Sequence, residues 1–128
     1  MSKVSAYAGL VAVFCWFMFG GISHFTNPDF FVAIMPPYLP WHLEIVYISG
    51  VLEILFAAML ILRATRQLAG NLLIALTVAV TPANIHMWMN PELFPDVPPL
   101  FLTVRLVVQV ILLAVIWGST RDTRWQQL

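Results

Sequence analysis

The sequence predicts an all-α membrane protein, a four-transmembrane-helix bundle, on three observations. Of its 128 residues, 61% are apolar and only 9% are charged, whereas charged residues make up about 25% of an ordinary soluble domain. The apolar residues form four stretches of about 20 residues, each long enough to cross a hydrocarbon core of roughly 30 Å as a helix. No stretch shows the period-two alternation typical of a β-strand. We therefore predict a single transmembrane domain over residues 1–128.

Four helices are expected, separated by polar or proline-rich connections. The first follows Lys3 and is longer than the apolar part of a signal peptide. It lacks a small-residue cleavage site after it, so we expect it to be retained as a helix. The predicted helices lie near residues 4–25, 43–62, 68–89 and 100–118.

Basic residues predict the direction in which these helices cross the membrane. Lys and Arg are enriched in cytoplasmic connections, and the connections at residues 27–42 and 90–99 contain neither. We expect a protein of the bacterial inner membrane with both termini in the cytoplasm. The basic residues that define this inner side are Lys3, Arg63, Arg66, Arg121 and Arg124.

Charge and cysteine content exclude several classes of function. Six basic and six acidic residues give a net charge of zero, so the chain offers no basic surface for nucleic acid. Its single cysteine, Cys15, can form neither a disulfide nor a CxxC pair within the chain. No spacing of His, Cys and carboxylates indicates a metal site. Any redox chemistry would require a cofactor or a partner protein.

The two outer connections begin alike, with Asn, Pro and an acidic residue. Asn can cap a short helix there and Pro can occupy its first position. Residues 27–42 are also rich in Phe, Ile, Met and Pro. We expect this segment either to fold over the outer mouth of the bundle as a proline-rich lid or to anchor on the lipid surface.

A weak internal repeat accompanies these connections. His24, Pro36 and Pro37 recur 62 positions later as His86, Pro98 and Pro99. Two interpretations stay open. The chain consists of two related hairpins, or Asn-Pro-acid is simply a common way to begin an interfacial turn.

Polar side chains within the predicted helices form a candidate site. Glu53 lies ten residues into helix two, about 15 Å deep, where an unpaired charge costs at least a few kcal/mol. Arg105 and Gln109 are four residues apart and share a face of helix four, and we expect Arg105 to pair with Glu53. On helix three, Asn84 and His86 point about 200° apart, and we expect Asn84 to face inward.

Two interpretations of this cluster are open. It is either a polar clamp that holds the helices in register or a half-buried pocket open to the outer leaflet. In a pocket, the guanidinium could hold an anion or carbonyl oxygen and the carboxylate could move a proton. Such chemistry suits a quinone or a lipid headgroup. The candidate ligand-binding residues are Glu53, Asn84, Arg105, Gln109, His24 and His86, with the two histidines more typical of hydrogen-bonded residues than of metal or haem ligands.

These positions also carry a resemblance to a known family. Over about residues 9–118 the chain resembles the DoxX family of small four-helix membrane proteins. The shared elements, in order, are Gly21-Ile22-Ser23-His24-Phe25, Pro28, Pro36-x2-Leu39-Pro40, Ser49-Gly50-x2-Glu53, Pro82-Ala83-Asn84-Ile85 and Arg105-x3-Gln109.

The resemblance implies a function in a membrane complex. DoxX relatives are linked to quinone-coupled sulfur oxidation, to resistance against oxidative stress and to the assembly of other membrane proteins. The resemblance implies no bound metal, and a quinone is the candidate cofactor. We therefore expect an accessory subunit that binds a quinone or similar amphiphile and serves a membrane redox partner or forms a homo-oligomer. The alternatives are a non-catalytic assembly factor or anchor, and a self-contained enzyme acting on a lipid.

Overall fold

A computed structural model describes residues 2–121, which form a bundle of helices. Four helices are long and apolar enough to cross a membrane, and the described part of the chain contains no β-strand. The predicted all-α fold with four candidate spans is confirmed. The elements are α1 (Lys3–Thr26), α2 (Pro28–Ala33), α3 (His42–Met59), α4 (Arg63–Met89), a 3₁₀ turn (Pro91–Leu93) and α5 (Pro99–Arg121). Arg124, which we assigned to the inner side, lies outside the described residues.

The turn between α3 and α4 is shorter than the sequence predicts. Helix α4 begins at Arg63, whereas the apolar stretch begins near residue 68. Arg66 is buried and donates from Nε to the Leu60 carbonyl (2.8 Å) and from Nη2 to the Ile61 carbonyl (3.1 Å). These bonds satisfy carbonyls that the end of α3 leaves free. The first turn of α4 is therefore stable although it is polar, and its low hydropathy explains why the sequence prediction missed it.

The four long helices form two antiparallel pairs, α1 with α3 and α4 with α5. Helix α1 also packs on α5, and α3 packs on α4, which closes the ring. Buried apolar side chains fill the end that holds the α3–α4 turn, where Val13, Leu73 and Ile116 are fully covered. A smaller core fills the other end, around Met87 and Leu102.

Two glycines bring α1 and α3 into unusually close contact. A Cβ atom at Gly21 would lie 2.8 Å from the Gly50 carbonyl oxygen, and one at Gly50 would lie 2.7 Å from the His24 Cβ. Small residues at helix interfaces allow this approach in membrane proteins. We call this contact the α1–α3 seam. His24 and Glu53, which follow the two glycines by three residues, face each other across it.

The connections at residues 27–41 and 90–98 both begin with a short helical segment, as predicted. Pro28 and Pro91 occupy the first turn of α2 and of the 3₁₀ turn. The expected side-chain capping is wrong, because neither Asn27 nor Asn90 caps these segments through its side chain. Instead, the two asparagines end the preceding helices through their backbone N–H groups, and the Asn90 amide donates to the His86 carbonyl (2.8 Å).

Candidate functional site

A cavity of about 670 Å³ lies between the two packed ends of the bundle. It is partly open to the surroundings and is lined by all five α-helices. Its volume is within the range of about 300–1,000 Å³ that small-molecule sites occupy. The walls are largely apolar, with polar groups in two places. Five of the six candidate residues line this cavity, namely His24, Glu53, Asn84, Arg105 and Gln109.

The first polar wall is an ion pair between α1 and α3. His24 Nε2 lies 2.8 Å from Glu53 Oε2, although this oxygen accepts no well-aligned hydrogen bond from any described residue. The other ring nitrogen, Nδ1, lies 2.8 Å from the Val46 carbonyl oxygen and 3.0 Å from Ser49 Oγ. The Ser49 hydroxyl donates to the same carbonyl (2.9 Å). These contacts hold the imidazole ring in one orientation.

The contacts of His24 determine how many protons the pair holds. A carbonyl oxygen only accepts hydrogen bonds, so Nδ1 beside Val46 carries a proton. A bare Nε2 lone pair facing a carboxylate at 2.8 Å would be repelled. One of the two groups therefore carries a proton at this contact: either the ring is protonated at Nε2 and Glu53 is ionised, or the ring is neutral and Glu53 is protonated. The pair is neutral overall in both forms.

Helix α2 covers this pair from the loop end of the bundle. The Phe31 ring lies against the His24 ring, with centroids 4.1 Å apart and planes inclined by 34°. Phe30 meets Phe31 edge-on at 5.3 Å. The ion pair is thus shielded by aromatic rings on the side of α2.

The second polar wall is a chain of hydrogen bonds between α4 and α5. Arg105 Nη2 donates to Asn84 Oδ1 (3.1 Å), and Asn84 Nδ2 donates to Gln109 Oε1 (2.5 Å). Gln109 Nε2 donates to Thr81 Oγ1 (2.6 Å), whose hydroxyl donates to the Thr77 carbonyl (2.9 Å). Each group has a defined donor or acceptor role, which fixes the orientation of both amides.

Arg105 has most of its hydrogen-bonding capacity left over. A guanidinium carries five N–H donors, and only the bond to Asn84 engages one of them among the described residues. Its Cζ also lies 5.9 Å from the centre of the Phe30 ring. Because the Arg105 side chain lines the cavity, its remaining donors lie at the cavity wall.

Two expectations about pairing are corrected by this geometry. Glu53 pairs with His24, and no ion pair within 4.0 Å joins it to Arg105 in residues 2–121. The two charged groups face the same cavity from opposite helix pairs. His86 is absent from the cavity lining and contacts Asn90 at the end of α4 (3.3 Å). Asn84 faces inward as predicted.

The sequence contained an unused signal for the His24 partner. Gly21-x2-His24 on α1 and Gly50-x2-Glu53 on α3 have the same spacing. When two antiparallel helices meet at glycines, residues three positions further along each helix lie on the same seam. Phe30 and Phe31 belong to the Phe-rich segment 27–42 that the sequence analysis singled out, whereas the contribution of Trp16 to the lining has no comparable sequence signal.

A comparison with known protein families assigns most of the chain to one family. Residues 13–120 match the family described as a domain of unknown function, DUF8561, and the chain belongs to this family. The matched segment includes every residue that lines the cavity. No curated protein and no solved structure matches the chain.

Proposed function

We propose that this member of the DUF8561 family is an integral membrane protein that binds an amphiphile, a quinone or a lipid-like molecule, in the cavity between its helices. One observation carries the proposal: a partly open cavity of about 670 Å³ has apolar walls and two separate polar walls. A head group would lie between His24–Glu53 and Arg105, and an apolar tail would follow the rest of the lining.

The proposed role is that of an accessory subunit in a redox or oxidative-stress complex of the bacterial inner membrane. The resemblance to the DoxX family supports this role, because the elements that carry it include Glu53, Asn84, Arg105 and Gln109. The connections between the long helices are short, so contacts with a partner would run through membrane-facing surfaces. The distribution of basic residues supports cytoplasmic termini.

We also propose that segment 27–42 is a lid and that the two helix pairs are related hairpins. Phe30, Phe31 and Ile34 of this segment line the cavity, and as a lid they would lie between the proposed ligand and the outside. The backbone angles of Asn27 (φ −140°, ψ 59°) and Asn90 (φ −126°, ψ 58°) are similar. This likeness supports a common turn in both pairs.

Retention of a native ligand tests the proposed function. The protein would be purified in native-lipid discs, and co-purified small molecules identified by mass spectrometry. We expect one quinone or lipid species to be enriched over the surrounding membrane. Asn84→Leu and Gln109→Leu should lower its retention because they break the second polar wall. Asn71→Leu is the matched control, since Asn71 is an exposed residue on the same helix as Asn84.

A structural clamp is the second candidate, as expected of an assembly factor or anchor. It is favoured by the hydrogen bonds among Asn84, Gln109 and Thr81, which need no ligand to complete them. In that case Asn84→Leu would lower the free energy of unfolding, and no molecule would be enriched in the wild-type protein. Enrichment that Asn84→Leu leaves unchanged would place any binding outside this cavity.

A further inference from the structure

We propose that the cavity selects amphiphiles whose head group carries a negative charge, a carboxylate or a phosphate. This inference rests on the proposed function, that the cavity binds an amphiphile, and it names the class of ligand. It follows from the charges that line the cavity and from the donors that Arg105 leaves unused.

The residues that line the cavity carry a net charge of +1. Its titratable residues are His24, Glu53 and Arg105. The first two lie 2.8 Å apart and hold one proton at this contact, on one group or the other, so they are neutral together. Arginine stays protonated in proteins, and no carboxylate among the described residues lies within 4.0 Å of Arg105. No residue in the described part of the chain therefore compensates the positive charge of Arg105.

An uncompensated charge at this position is costly. Arg105 lies on the second turn of α5, about 9 Å along the helix from its start at Pro99. It is only partly exposed. Charged groups in the apolar region of a membrane protein are normally paired or face water. A ligand with an anionic head group would supply the missing partner, whereas a neutral head group would leave the charge unpaired.

The geometry of Arg105 suits an oxyanion. Its bond to Asn84 uses one donor at Nη2, and the Phe30 ring lies 5.9 Å from Cζ on one side. Free N–H groups in one plane can bind two oxygens of a carboxylate or phosphate at once. The apolar lining, which includes Trp16, Val80 and Leu112, then receives the chain.

Quenching of Trp16 fluorescence can measure this selectivity if its saturable part is used. Trp16 lines the cavity but is also 51% exposed, so probe dissolved in the bilayer adds quenching that does not saturate. The full chain would be placed in discs of zwitterionic phosphatidylcholine at a pH where free carboxylates are ionised. Three brominated single-chain probes would be titrated: a fatty acid, its methyl ester and an alkyl phosphate of equal length. The signal is the saturable part of the quenching that Trp16→Phe removes and Trp117→Phe, at an exposed tryptophan of α5, does not.

We expect half-maximal quenching at a mole fraction about tenfold lower for the carboxylate than for its ester, given the strength of charge-assisted hydrogen bonds. The alkyl phosphate is compared with the fatty acid to find which anionic head group the cavity prefers. The probe that binds more tightly carries the preferred head group. Arg105→Gln should abolish the difference between acid and ester, and Arg105→Lys should keep part of it. Arg63→Gln is the control for loss of charge, since Arg63 is exposed at the other end of the bundle.

The outcomes separate this inference from the proposed function. Equal binding of acid and ester to the wild-type protein overturns the anionic preference and leaves amphiphile binding intact. Saturable Trp16-dependent quenching by none of the three probes overturns the proposed function itself. The comparison of acid and ester on the wild-type protein tests the anionic preference even if Arg105→Gln does not fold. An acid preference that survives in folded Arg105→Gln also overturns the assignment to Arg105.

Discussion

Glu53 and Arg105 face one cavity but differ in how their charges are compensated. Glu53 has a partner 2.8 Å away in His24. Within residues 2–121, Arg105 is hydrogen-bonded only to a neutral amide and lies near an aromatic ring. The carboxylate is therefore compensated within the protein, and the guanidinium is not. This asymmetry is the main chemical property of the site.

A double-mutant cycle should detect the His24–Glu53 pair. We expect His24→Gln and Glu53→Gln each to lower the free energy of unfolding by about 3–5 kcal/mol, because each leaves a buried group without its partner. The double variant should lose less than the sum of the two. The measurement is denaturant unfolding in detergent micelles.

The matched cycle pairs Glu53→Gln with Arg105→Gln. No direct contact joins these side chains, so their effects should be closer to additive. A coupling energy as large as that of the histidine cycle would contradict the pairing described above.

Residue positions within the site could be predicted better than their partners. Depth and helical spacing were sufficient to identify Glu53, Arg105, Asn84 and Gln109, because polar side chains stand out in apolar helices. The partner of Glu53 could not be derived from depth alone. It depends on how closely α1 and α3 approach, and Gly21 and Gly50 determine that distance.

At the scale of elements, the α1–α3 seam should tolerate no added atom. Gly50→Ala would place a Cβ 2.7 Å from the His24 Cβ and 3.1 Å from the Gly21 carbonyl oxygen. We expect a loss of about 1–3 kcal/mol in the free energy of unfolding, the usual cost of overpacking. The same variant should weaken amphiphile binding, because the His24–Glu53 wall moves.

Gly118→Ala is the control for the seam. Gly118 lies in α5, outside the α1–α3 contact, and alanine has a higher helix propensity than glycine. This variant should be as stable as the wild type or slightly more stable. Equal losses from both alanine variants would argue against a close seam.

The helix boundaries show where hydropathy stops being informative. The ends near Thr26, Met89 and Pro99 coincide with proline-rich connections and agree with the sequence prediction to within one residue. The start of α4 does not agree. Arg66 there binds carbonyls of the preceding turn, a tertiary contact that a window of mean hydropathy cannot detect.

At the scale of the whole molecule, cysteine accessibility tests the proposed orientation. Cys15 would first be replaced by serine. A single cysteine at Asp96, in the connection before α5, should react with a membrane-impermeant reagent from outside the cell. One at Arg63 should react only after the membrane is permeabilised. Both positions are exposed, and the reverse pattern would overturn cytoplasmic termini.

Arg66, which the sequence alone makes equally suitable for labelling, is a poor choice. Its side chain is 6% exposed and donates to two backbone carbonyls. A cysteine there would be shielded and would leave those carbonyls without their partner. Failure of that variant to react would be uninformative about orientation, so the exposed Arg63 is the better position.

Each polar wall belongs to one antiparallel helix pair, so the chain can be regarded as two complementary fragments. Cleavage within the turn at residues 60–62 would leave His24–Glu53 on the first fragment and the Arg105–Asn84–Gln109 chain on the second. Each fragment would keep its polar contacts but only half of the cavity. Ligand binding would then report directly on reassembly, and co-expressed halves would form a split sensor for helix association within a membrane.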